Sequence, residues 1–183
     1  MTARPVSTSP LASVPAGRSG QPGFTLIETM VVLVIVAVLL VVAMPGYSVL
    51  TLRTKLKSYA NELVASIYLS RSEAIKRNAP MTLCTSTDGA TCAGGGDWDE
   101  GWIVMDPNDL VIRQRQPVVG DIKLFGLSSI NSLTFEPSGA ASTPATFKIC
   151  QQASSPLIEE RRVTVSATGR PQVETTKNGC PGS

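Results

Sequence analysis

The sequence predicts an α+β fold of the pilin-like type: one long N-terminal helix packed on antiparallel β-sheets. Three observations predict it. An apolar run from Phe24 to Met44 contains one charge, Glu28. An amphipathic run follows and ends near Arg77. From Met81 onward, short β-type runs alternate with turn residues.

Residues 1–23 come first. They are rich in Ser, Pro, Ala and Gly and carry no periodicity, so they read as an unstructured cytoplasmic leader. The leader holds Arg4 and Arg18 and no acid, so the remaining chain balances 14 basic against 14 acidic residues. A neutral chain is not a generic nucleic-acid binder.

Residues 24–44 come next. At ~1.5 Å per helical residue they cover the ~30 Å of a bilayer core. Val, Leu, Ile and Ala dominate, so one helix satisfies its own backbone in lipid. Glu28 is costly there without a partner. A secretory signal peptide fits poorly, because the small residue Gly23 precedes the apolar run instead of following it. The count of cations flanking the run favours the opposite orientation: Arg18 precedes it, but Arg53, Lys55 and Lys57 follow.

Residues 45–80 form the second helical segment. Val49, Leu52, Leu56, Tyr59, Leu63, Ile67 and Ala74 recur at three- and four-residue steps. Lys76 and Arg77 suit the negative end of the dipole, and Pro80 ends the helix. The helix is expected to bend near Pro45-Gly46.

Residues 81–183 form a β-rich domain. Strands are expected at Met81–Thr85, Gly101–Met105, Leu110–Gln116, Asp121–Phe125, Ser132–Glu136, Thr146–Cys150, Arg162–Ala167 and Pro171–Thr175. Residues 140–146 and 151–160 read as exposed loops. Trp98 and Trp102 are four apart, so on a strand they would share one buried face.

The totals exclude several chemistries. With no His, triad and His-metal chemistry are absent, and no catalytic residue, cofactor or metal site is expected. The acids Asp97, Asp99, Glu100, Asp106 and Asp109 match no calcium loop and read as a solvated rim. The four Cys lack zinc spacing, and in an exported chain they suit disulfides. Four Cys permit three pairings. Cys84–Cys92 would close a local hairpin, and Cys150–Cys180 would tie the C-terminal tail to a strand.

Gly23-Phe24-Thr25-Leu26-Ile27-Glu28 resembles the class III signal of type IV pilins and type II secretion pseudopilins. The resemblance implies cleavage between Gly23 and Phe24 by prepilin peptidase, with methylation of the new Phe24 amine. It implies that Glu28 pairs with the N-terminal amine of a neighbouring subunit, and that Pro45 breaks the helix. Three further stretches resemble the FimT/GspH group: Trp98-Asp99-Glu100-Gly101-Trp102, Leu133–Gly139 and Val163–Arg170. The implied localisation is the inner membrane, single-pass, with the C-terminal domain periplasmic until assembly.

Three functional readings follow from that resemblance. The first is a minor pilin at or near the tip of a type IV pilus. The second is a GspH-like minor pseudopilin of type II secretion. The implied partners are other pilin subunits, prepilin peptidase and the inner membrane. The third reading adds DNA, because some FimT-like proteins bind it through Gly-Arg-x-Arg. Here the stretch is Gly169-Arg170-Pro171-Gln172, so Gln172 stands where the second Arg would be. The candidate cations are Arg161, Arg162, Arg170 and Lys177. Arg161 and Arg162 point to opposite faces of a strand, and Glu159, Glu160 and Glu174 weaken the field.

Overall fold

The computed structural model describes residues 23–152, 159–177 and 180, with the side chains of 42–46 excluded. The expected leader at 1–22, the middle of the expected 151–160 loop and the Pro45 side chain therefore lie outside the described residues.

The chain divides into two compact units, one ending at Val42 and one beginning at Ala43. One α-helix, α1, spans Leu26–Arg77. The helical backbone runs on through Pro45 and Gly46, as one long helix. Its end is a reciprocal cap. Asn78 takes φ 49°, the Ala79 N–H reaches the Ala74 carbonyl at 3.2 Å, and the Asn78 N–H reaches that of Ile75 at 3.4 Å. This pattern satisfies carbonyls that a helix end otherwise leaves open. Pro80 then blocks continuation.

In the second unit, eight strands form two antiparallel sheets. One sheet holds β1 (Met81–Thr85), β2 (Trp102–Met105), β3 (Val111–Arg115) and β5 (Ser132–Phe135), in the order β3-β2-β1-β5. The other holds β4 (Ile122–Gly126), β6 (Ala145–Gln151), β7 (Glu160–Val165) and β8 (Pro171–Thr176), in the order β4-β6-β7-β8. The helix and both sheets share one core. Leu56, Ala60, Leu63, Ile67 and Ala74 of α1 pack with Leu83, Trp102 and Val104 of the first sheet. Leu124, Phe147, Ile149 and Val163 complete it from the second. The three- and four-residue spacing on α1 puts those residues on one stripe, and period-2 alternation does the same on the strands.

Both tryptophans are buried, but only Trp102 is on a strand. Trp98 starts a short 3-10 turn, Trp98–Glu100, because Gly101 (φ 113°) breaks the extended path between them. The Trp98 indole N–H donates to the Ile130 carbonyl at 2.7 Å, and its ring meets Phe147 edge-on at 4.9 Å. The Trp102 indole N–H donates to Ser66 Oγ on α1 at 2.9 Å. Edge strand β3 is tied to α1 by Arg115, which pairs with Glu62 and lies 5.4 Å from the centre of the Tyr59 ring.

Two expected loops are partly structural. Ala141 bridges to Phe135 and is buried, and β6 begins at Ala145. Apolar Ala141 and Ala145 fill space beside Phe135, which a polarity reading of Ser-Thr-Pro neighbours hides. Glu160 opens β7 and is buried against Lys148 at 3.0 Å. The acidic rim is also corrected. Asp99 pairs with Lys123 at 2.7 Å, and Asp106 accepts backbone N–H groups from Asn108 (2.8 Å) and Leu110 (3.0 Å), so both carboxylates are engaged within the fold.

The structure contains the disulfides Cys84–Cys92 and Cys150–Cys180, with Cα separations of 5.6 and 5.7 Å. The first lies on the side of β1 away from the main core, where Cys84 packs with Ile103 and Met105.

Candidate functional site

The N-terminal site is built on the start of α1. Thr25 precedes the helix, and its Oγ1 accepts the Glu28 N–H at 3.3 Å. The Thr25 carbonyl accepts the Thr29 N–H at 3.2 Å. Thr25-Leu26-Ile27-Glu28 is thus a Thr-x-x-Glu capping signature, with the acid on the positive end of the helix dipole. The sequence reading did not use this signal, although Ser/Thr followed three residues later by Glu marks a helix start. It fixes where the helix begins and so where Glu28 sits on it.

Gly23 and Phe24 precede the helix and are open. Phe24 is 81% exposed, and a Cβ built on Gly23 would meet nothing within 4 Å. From Leu26 to Val41 every large apolar side chain is exposed. Such a surface marks an interaction site, whether for protein or for lipid. Among the described residues, no helix is long and apolar enough to cross a membrane.

The C-terminal cations are spread out. In the β7–β8 turn, the Gly169 N–H reaches the Ser166 carbonyl at 2.8 Å, and Ser166 and Arg170 close the hairpin at 3.1 Å. Gly169 takes φ 74°, which explains a glycine there. Arg170 is exposed at this turn, while Lys177 follows the far end of β8. Seven residue steps at ~3.3 Å each put the two roughly 23 Å apart. Arg162 faces Glu174 on β8 and Lys148 on β6. Gln172 faces Thr164. Arg161 takes the opposite face and donates to Thr175 Oγ1. The structure therefore does not gather Arg162, Arg170 and Lys177 into one patch.

A different cation lies close to the turn. Arg71 of α1 donates its Nε–H to the Gly139 carbonyl at 2.9 Å. A Cβ at Gly169 would sit 3.3 Å from Arg71 Cδ and 2.2 Å from the Gly139 oxygen. The β5–β6 turn, the β7–β8 turn and α1 thus meet at Arg71. Sequence reasoning missed this, because no local pattern links positions 71, 139 and 169.

Electrostatics elsewhere are structural. The Leu110 and Asn108 backbone bonds hold the Asp106 carboxyl below its usual range, although partial burial opposes them. Bonds from Arg77 and Lys76 do the same for Glu73. Asp99 raises Lys123. Among the described residues, no group of three or more Cys, Asp or Glu could hold a metal.

The family model for the type II transport protein GspH matches residues 59–169, from Tyr59 on α1 through the strands up to the Gly169 turn. The chain belongs to the GspH family. A second model, the prokaryotic N-terminal methylation motif, matches residues 18–44. Two solved structures have similar folds. The type IV minor pilin FimU of Pseudomonas aeruginosa is 24% identical with a TM-score of 0.57, covering 72% of this chain and 97% of that one. The minor pseudopilin EpsH of the Vibrio cholerae type 2 secretion system is 16% identical with a TM-score of 0.50, covering 70% and 99%. No curated protein sequence matches the chain. This GspH-family chain is a minor pilin or pseudopilin of the type IV pilus and type II secretion family, and its methylation motif implies processing by prepilin peptidase. Members of the family are structural subunits that assemble with other pilin subunits.

Proposed function

We propose that this chain is an inner-membrane precursor, cut between Gly23 and Phe24, that assembles at or near the tip of a type IV pilus. The apolar run 24–44 anchors it with its C-terminal domain in the periplasm. After cleavage the Phe24 amine is methylated. One observation carries the reading: a single carboxylate, Glu28, sits one turn into a helix whose other faces are exposed and apolar. An acid packed among such helices needs a cation, and the N-terminal amine of a neighbour supplies one. Removing one partner of a buried pair costs about 3–5 kcal/mol, which is enough to set register.

The test is Glu28→Ala beside Gly23→Glu in cells that make the filament. The first is expected to be cut and inserted but not to join filaments. The second is expected to remain uncut. Normal incorporation of Glu28→Ala would refute the register mechanism, and a wild-type mature chain starting anywhere but Phe24 would refute the processing site. A second reading, a pseudopilin of type II secretion, is favoured by the GspH family match. Deletion of the gene separates the two: loss of pili supports the first, and loss of protein secretion supports the second.

A further inference from the structure

We infer that the outer side of α1 around Tyr68, Arg71 and Ile75, together with Arg170, is a second assembly contact that receives an acidic surface of a neighbouring pilin subunit's globular domain. This rests on the assembly reading above and adds a contact outside the apolar helix.

The core-facing stripe of α1 runs Leu56, Ala60, Leu63, Ile67, Ser70 and Ala74, all buried. Tyr68 and Ile75 lie off that stripe, and each is 50% exposed. They are seven apart, so they stand one above the other on the helix, with Arg71 between them. Arg71 spends its Nε–H on the Gly139 carbonyl, which fixes the side chain along the surface. Among the described residues, its terminal nitrogens enter no ion pair.

The two turns beside Arg71 complete the surface. A Cβ at Gly139 would come within 2.7 Å of Ile75 Cδ1, and one at Gly169 within 2.2 Å of the Gly139 oxygen. Both positions therefore need glycine; the Gly139 turn lies against Arg71 and Ile75, and the Gly169 turn lies against Arg71. Arg170 follows Gly169 directly, so its Cα is ~3.8 Å from that of a residue touching Arg71. Arg170 is exposed and, among the described residues, likewise enters no ion pair. Among the described residues, Glu136 of the neighbouring turn forms no ion pair with either arginine. Glu73 is already held by Lys76 and Arg77.

The result is an aromatic and an aliphatic side chain flanked by two guanidinium groups with free donors. Tyr and Arg are the residues enriched at interface hot spots, where a flat apolar centre is ringed by directed polar groups. Two unpaired guanidiniums call for carboxylates on the other side, since Arg binds carboxylate as a planar fork. A protein surface fits better than a nucleic acid here. Two cations give little counterion release, and the remaining candidate cations are remote.

The test uses the full chain in cells that make the filament. A photo-crosslinking amino acid is placed at position 68, and a control at Thr87, on the exposed loop after β1. Tyr68→Asp and Arg170→Glu are scored for copies incorporated per filament and for thermal stability. The expected result is a crosslink from position 68, absent from Thr87, whose mass-mapped partner peptide belongs to the globular domain of another pilin-type subunit and contains Asp or Glu. Each substitution should lower incorporation at least tenfold with melting unchanged. Wild-type incorporation of both variants would overturn the inference, as would a crosslink at position 68 to nucleic acid or lipid. Because the wild-type chain is scored in parallel, its failure to enter filaments would refute the assembly reading instead.

Discussion

The two disulfides close loops of very different length, and the difference is measurable. Cys150 and Cys180 are 30 positions apart, whereas Cys84 and Cys92 are 8 apart. In the chain-entropy model, removing the first frees a denatured-state constraint worth about 3.7 kcal/mol, and removing the second about 2.6 kcal/mol. Native-state losses are similar in kind, because Cys84 and Cys150 are both fully buried. Comparing the two double alanine variants therefore cancels much of the packing cost and leaves the loop-length difference of about 1 kcal/mol. For a unit of this size, Cys150→Ala/Cys180→Ala should lower the melting temperature by about 10–15 °C. Urea unfolding of the full chain in detergent, read by tryptophan fluorescence, reports the change. Trp98 and Trp102 are both in the shared core, so the signal follows the second unit. The reasoning fails if the Cys84/Cys92 variant loses more stability, or if the Cys150/Cys180 variant loses under about 1 kcal/mol, below the range expected for a native disulfide.

Three further outcomes are expected. Gly169→Ala forces a Cβ to 2.2 Å from the Gly139 oxygen at φ 74°, so it should cost about 1–3 kcal/mol by thermal melting, against near-neutrality for an exposed-loop control. The carboxyls of Asp106 and Glu73 are held below their usual range, so their contribution is present above the unfolded value and is lost as pH falls through the folded one. Stability should therefore drop on the acid side of about pH 4, and Asp106→Asn should flatten that slope in acid titrations followed by circular dichroism. For DNA, Arg170 is roughly 23 Å from Lys177 by strand length, so no more than two phosphates can be met together. Gel shifts at varied salt should give a duplex slope no steeper than about −1.8 and no binding at physiological salt; tight binding that survives Arg170→Gln would place a DNA surface elsewhere.

Most of the fold was legible because its signals are local. All eight expected strands occur, since alternation and Gly, Pro and Asp turns mark most of their ends. The helix end at Arg77 was legible from Lys76, Arg77 and Pro80. The departures have tertiary causes. Trp98 left the strand because Gly101 at positive φ turns the chain, and no composition rule places that glycine. Glu160 looked like loop polarity, yet its partner Lys148 sits twelve residues upstream on the adjacent strand. At the N-terminus the motif residues were all visible in order. The Arg71 junction was not, because it joins α1 to two turns 68 and 98 residues later in the chain.

The seam between α1 and the two sheets has a mechanical consequence. Its buried residues run from Leu56 to Ala74, about 27 Å of helix at ~1.5 Å per residue. A filament under tension pulls on the Ala43 end of this unit, along the helix axis. That load acts on the whole row of side chains in parallel, as shear, instead of prying them apart one at a time. The Arg115–Glu62 pair and the Trp102–Ser66 hydrogen bond cross the same seam and resist sliding in the same direction. Single-molecule pulling from residue 43 should therefore show one high rupture force, lowered by Leu63→Ala, on the loaded helix itself, more than by Val165→Ala, an equally buried change on β7.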